Sequence, residues 1–158
     1  MAIPAKLATL DPGQAQRHNG PMQTTFTLPT RGPGLYKFTR EVRAWTAGQG
    51  DGLLTLFIRH TSASLLVMEN ADPEVRTDMT AFFHRLVPPT TDPAMSYLTH
   101  TYEGPDDMPA HIKSALMPVS LSIPVEKGVP RLGTWQGIYV VEHRNAPQNR
   151  QVAAYFGN

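Results

Sequence analysis

The chain has 158 residues, fifteen of them proline and none cysteine, with a formal charge of +1 from fourteen basic and thirteen acidic side chains. That length suits one domain able to bury its own core, and the lack of cysteine excludes disulfide frameworks, thiolate zinc sites, iron–sulfur clusters and cysteine nucleophiles. Balanced, scattered charge excludes the broad basic field of a nucleic-acid binder; with no apolar run near the ~20 residues that span a bilayer and no signal-peptide core, the expectation is a cytoplasmic protein that partners neither nucleic acid nor membrane.

Residues 1–22, rich in Gly, Pro, Asn and Gln, read as a flexible N-terminal leader that includes His18, and 23–158 as a single domain. Thr24–Leu28 and Gly34–Phe38 read as strands around a turn-rich Pro29–Pro33 segment. Thr39 can cap a short helix carrying Val42 and Trp45, closed by Gly48, Gly50 and Gly52. The apolar run Leu53–Ile58 predicts a strand buried on both faces, and Ser64–Met68 the next strand. Asp72, Pro73 and Glu74 then mark a helix start, and Val75, Met79, Phe82, Phe83 and Leu86 form an apolar stripe at helical spacing, with His84 among them, up to Pro88-Pro89. Pro88 to Pro109 is a long polar connection of the kind that often carries function. Pro109–Leu116 predicts a short helix. Val119–Val125 alternates strictly, and Pro124 places that strand at an edge or a bulge. Lys127-Gly128 reads as a turn, and Thr134–Glu142 and Gln151–Phe156 as the last strands. The fold class is α+β: a mostly antiparallel, sandwich-like core with a few short helices.

Three groups of residues carry chemistry. In the first, His60-Thr61-Ser62-Ala63-Ser64 is followed across a hairpin by Glu69-Asn70-Ala71-Asp72. An imidazole, hydroxyls and two carboxylates gathered in that way suit metal ligation or proton transfer; the plainer alternative is that Asp72 caps its helix while Glu69 and Asn70 satisfy turn backbone. The second runs from Tyr97 to His111 and holds His100, Glu103, Asp106, Asp107 and His111 with few apolar neighbours. Core packing does not account for it; a ligand site is the natural inference, and a solvated acidic loop is the alternative. His60, His100 and His111 together would suit a catalytic zinc or similar divalent ion with an open position, although the spacing of His100 and His111 matches no standard zinc motif. The third is Gly133-Thr134-Trp135-Gln136-Gly137, whose glycines allow close backbone approach and whose Trp135 and Gln136 would face opposite sides of a strand; a core tryptophan between structural glycines is the alternative. Arg144 and Arg150 could hold a phosphate. No P-loop, dinucleotide fingerprint or serine elbow occurs.

The strings His60–Ser64, Glu69–Pro73, Glu103–Lys113 and Leu132–Ile138, in that order, resemble the YjbQ-like family of secondary thiamine-phosphate synthase enzymes, and the resemblance extends over residues 23–157. It implies a β-sandwich-like α+β domain assembled as a homotrimer. It also implies a weak ability to condense hydroxymethylpyrimidine diphosphate with thiazole phosphate. On that resemblance His60, His100 and His111 correspond to metal-site residues. Asp72, Glu103 and Glu69 would orient ligands or move protons, and Thr61, Ser62, Gln136 and Arg144 would bind the small phosphorylated substrate. Metal-assisted hydrolysis of a phosphorylated metabolite and non-enzymatic metabolite binding by a trimer remain as alternatives.

Overall fold

The computed structural model describes residues 22–157. The leader, apart from Met22, and with it His18, lies outside the described residues; Met22 opens the first strand. The elements in chain order are β1 (Met22–Thr30), β2 (Gly34–Lys37), α1 (Thr39–Thr46), β3 (Gly52–Ile58), β4 (Ala63–Glu69), α2 (Pro73–Leu86), a single 3-10 turn (Pro93–Met95), α3 (Asp107–Leu116), β5 (Ser120–Glu126), β6 (Val129–Pro130), β7 (Gln136–Glu142) and β8 (Gln148–Gly157). All strand pairs are antiparallel, in a five-stranded sheet ordered β1-β8-β3-β5-β6 and a three-stranded sheet ordered β2-β7-β4. The two sheets form the expected sandwich. Leu54, Leu56 and Ile58 of β3, Ile123 and Val125 of β5 and Val152, Ala154 and Phe156 of β8 meet Leu65 of β4 and Ile138 and Val140 of β7, with Phe38 and Val42 closing one end.

Period-2 patterning explains which side chains take part. β3 is not buried on both faces, as its apolar run predicts: Leu54, Leu56 and Ile58 face the core, while Leu53 and Phe57 remain about half exposed, because among the described residues no element covers them on the outer face of the larger sheet. β7, by contrast, is buried from Gly137 to Glu142, since it is the central strand of the smaller sheet and the layer of α2 and α3 lies over β2 and β4 beside it. Pro124 occupies the sheet margin, where β5 has only the two-residue β6 beyond it. The β5–β6 turn needs positive φ at Lys127 and Gly128, and a Cβ on Gly128 would sit 2.7 Å from the Thr46 carbonyl oxygen, so glycine is required there on two counts.

The helices differ from expectation in three ways that matter for the site. Thr39 does not cap α1; its hydroxyl accepts the Ile138 N–H at 2.8 Å and ties α1 to β7. Asp72 does cap α2, its Oδ1 accepting the Glu74 N–H at 2.8 Å with Pro73 at the first helical position. Yet no residue of α2 is fully buried, and Phe82 and Leu86 are exposed, so its apolar stripe lies over a sheet edge rather than in the main core. α3 begins at Asp107, two residues before Pro109, which moves His111 from the first turn to the second and puts Asp107 one turn ahead of it.

Candidate metal centre

Asp107 and His111 stand four residues apart on α3 and so share a helix face. The loop before the helix returns His100 to the same place. His100 Nε2 lies 2.8 Å and His111 Nε2 3.2 Å from one oxygen, Asp107 Oδ2. The three donor atoms lie within 4.8 Å of one another. Asp107 is 2% exposed, whereas the imidazoles of His100 and His111 are 29% and 34% exposed, so the group has a buried anionic floor and an accessible rim.

Two of these three side chains are themselves held. The Thr61 carbonyl accepts a hydrogen bond from His111 Nδ1 at 2.9 Å, which turns Nε2 toward Asp107 Oδ2. Asp107 Oδ1 accepts from Arg144. The same guanidinium donates through Nε to Asp106 Oδ2 at 3.0 Å and through its third nitrogen to the Glu103 carbonyl at 3.2 Å. Burial pushes the Asp107 carboxyl up, but the His100 hydrogen bond and the charges of Arg144, His111 and His100 outweigh it and hold the group below the usual carboxylate range. Asp106 is likewise lowered, because the Asn145 N–H and Arg144 overcome its burial.

The facing pair of His111 Nε2 and Asp107 Oδ2 at 3.2 Å is held by positive charge, carried on the ring or by a cation bound between them. A divalent ion fits. With bonds of about 2.0–2.1 Å to nitrogen and oxygen, neighbouring donors are separated by about 2.9 Å in octahedral and about 3.4 Å in tetrahedral coordination, close to the 2.8 and 3.2 Å between each imidazole nitrogen and Asp107 Oδ2. The donation from His111 Nδ1 to a backbone carbonyl is the outer contact that metal-bound histidines usually make.

The remaining predicted site residues fall elsewhere. His60 is not part of this group: its Nε2 accepts the Gln151 N–H of β8 at 2.8 Å, just past the end of β3, and burial followed by the Arg150 charge lowers its pKa. The string that begins at His60 reaches the centre through the Thr61 backbone instead. Glu69 accepts the Ala71 and Asp72 N–H groups at 2.9 and 3.1 Å, and Asn70 donates to the Gln136 carbonyl, so the plainer reading of that hairpin describes their contacts. Gln136 Oε1 closes a turn on the Gly133 N–H at 2.8 Å, and Trp135 lies before β7, 64% exposed rather than in the core. Ser62 accepts from Arg150 through both its carbonyl and its hydroxyl. Glu103 Oε1 is at the rim, 4.0 Å from His100 Nε2. Arg144 is taken up by two aspartates and a carbonyl, and Arg150 by Glu142, so neither guanidinium is turned toward a ligand. Asp107 is the candidate ligand that sequence reasoning does not single out. The available signal was its i, i+4 relation to His111, hidden by placing the helix start at Pro109.

The family model described as "UPF0047 protein YjbQ-like" matches residues 24–157. UPF0047 protein sll1880 of Synechocystis is 45% identical over 135 residues, 84% of this chain and 89% of that protein, and UPF0047 protein YjbQ of Escherichia coli O157:H7 is 44% identical over 84% of this chain and 94% of its own. Among solved structures, hypothetical protein APE1520 of Aeropyrum pernix superposes with a TM-score of 0.75 at 30% identity, covering 87% of this chain and 99% of that one. Conserved hypothetical protein TT1486 of Thermus thermophilus gives 0.72 at 35% identity, covering 83% and 97%.

Proposed function

The chain belongs to the UPF0047 YjbQ-like family, and from that premise we propose that it is a small-molecule enzyme of the thiamine-phosphate synthase type whose divalent ion, zinc or a similar metal, is held by His100, Asp107 and His111. The observation that carries this reading is the convergence of two imidazole nitrogens on Asp107 Oδ2 with the His111 ring oriented by Thr61. When bound, the ion supplies positive charge to draw off an anionic leaving group. The chain's own residues do the rest. Thr61 orients His111, Arg144 keeps Asp107 ionised and aimed, and the partly exposed His100 leaves room for a substrate at the rim. In the condensation the bond from the pyrimidine methylene carbon to the diphosphate oxygen breaks, diphosphate leaves with the electron pair, and the thiazole nitrogen forms the new bond to that carbon. No covalent nucleophile is required, and the enzyme's work is orientation and charge stabilisation.

Glu103 favours a second reading, hydrolysis of a small phosphorylated metabolite, because its half-exposed carboxylate stands at the rim where it can take a proton from water. The homotrimer belongs to the same proposal, supported by the uncovered Leu53, Phe57 and Tyr155 on the outer face of the larger sheet; light scattering tests it. The deciding experiment measures metal content and product together for the wild type, His100→Ala, His111→Ala and His60→Ala. The expected outcome is bound metal in wild type and His60→Ala, its loss in the other two, and thiamine phosphate formed only when both substrates are present. Phosphate release from one substrate alone would select hydrolysis, binding without turnover would select a metabolite-binding protein, and a fully active metal-free wild type would overturn the metal centre.

A further inference from the structure

α3 has a second functional face. Asp106, Pro109 and Lys113 recur at helical spacing on the side next to the Asp107–His111 face, and they form one wall of a cavity of about 110 Å³ between α2, α3, β2 and β7, with Leu35, Phe83, Val141 and His143 on the other walls. Lys113 is 8% exposed. Among the described residues its ammonium has no ion-pair or hydrogen-bond partner, although two carboxylates stand on the same walls. Asp106 Oδ2 is taken by Arg144 at 3.0 Å and by the Asn145 N–H at 2.8 Å. Glu142 is taken through both oxygens by Arg150, Thr30 and two backbone N–H groups. Among the described residues no buried side-chain nitrogen or oxygen is left both sealed and unpaired, so the ammonium keeps accessible surface, and Lys113 is one of the residues that line this cavity.

A cationic group so enclosed is costly unless something anionic completes it. The cavity volume corresponds to roughly three or four waters at ~30 Å³ each, which is the size of one small oxyanion with a short carbon body, and the walls of Leu35, Phe83 and Val141 suit such a body. We propose that this cavity is a binding site for a small organic oxyanion, a phosphate ester or a carboxylate, whose charged end is received by Lys113. The site is separate from the metal centre and does not depend on it; Arg144, which bridges Asp106 and Asp107, stands between the two.

The test uses the full chain treated with a chelator and titrated with inorganic phosphate and, separately, with propionate, against sodium chloride of matched ionic strength. Amide resonances of Leu35, Phe83, Val141 and His143 should shift saturably with at least one probe, and in Lys113→Met the apparent dissociation constant should rise roughly ten- to a hundredfold, the loss of one hydrogen bond to a charged group. A response to phosphate alone identifies a phosphate-ester site, to propionate alone a carboxylate site, and to both the shared oxyanion chemistry. In the wild type the saturating probe should also protect Lys113 from acetic anhydride, read by mass spectrometry, which decides the matter if Lys113→Met does not fold. Absence of saturable shifts with either probe, equal affinity in a folded Lys113→Met, or unprotected Lys113 at saturation would each overturn the proposal.

Discussion

Glu142 and Asp107 are both buried carboxylates, 1% and 2% exposed, and each is bound by an arginine. They differ in what else their oxygens meet. Glu142 accepts Arg150 Nε and the Thr30 hydroxyl on one oxygen, both at 2.7 Å, and on the other an Arg150 terminal nitrogen at 2.5 Å with the His143 and Arg144 N–H groups at 3.0 and 2.9 Å. Burial raises its pKa, and those hydrogen bonds, Arg150 foremost, bring it below the ordinary value. Nothing in that arrangement faces solvent or asks for a ligand. Asp107 gives one oxygen to Arg144 and the other to two imidazole nitrogens at an accessible rim. Complete pairing marks the first carboxylate as framework, and the convergence of donors on a single oxygen marks the second as a place where a cation can sit.

The contrast is broken most severely at Arg150. Replacing it with Met leaves Glu142 buried without its counter-charge, and urea unfolding should show a loss of about 3–5 kcal/mol. Next comes His143, beside Glu142 and sharing a 2.9 Å hydrogen bond with Ser64. Burial first and the Lys113 charge second lower its pKa from 6.5 to about 4. Between those values the unfolded chain holds a proton that the folded chain does not, so stability is full above pH 6.5 and falls as pH drops toward 4, by about 3 kcal/mol from this group. Urea midpoints measured from about pH 7 to about pH 4 should decline in the wild type and decline less in His143→Asn; equal slopes would dismiss this account. A smaller effect is expected at Arg144→Met, which releases the Asp107 carboxylate without touching a donor atom. Zinc affinity by chelator competition should weaken about 10–100-fold, as for other contacts that orient ligands. The smallest change belongs to His60→Ala, where affinity should stay within about twofold because its nitrogen accepts the Gln151 N–H and contacts no donor atom of the centre.

Patterning foretold most of the framework. Strict alternation located β5, the Asp72-Pro73-Glu74 signal located the start of α2, and the proline at 124 located a sheet margin. The misreadings have physical reasons. An apolar run cannot by itself distinguish a strand buried on both faces from one whose outer face is uncovered, as Leu53 and Phe57 are. Proline is favoured anywhere in the first turn, so placing the start of α3 at Pro109 cut off Asp107. His100 and His111 were recognisable because the segment around them has little to bury, whereas His60 stands in an equally suggestive string and differs only in where the sheet turns its ring. That distinction is tertiary. So are the pairing of Arg144 with the two aspartates and the enclosure of Lys113, which depend on residues distant from one another in the chain.

The end of β7 places Glu142, His143 and Arg144 in succession, each committed to a different neighbour: Arg150, Ser64 and the Asp106–Asp107 pair. Because adjacent strand residues point to opposite sides, sliding β7 by one position against β4 would redirect all three at once. In a mispaired chain Arg144 would not reach Asp107, so its arrival there serves as a readout that the smaller sheet has closed in its correct alignment.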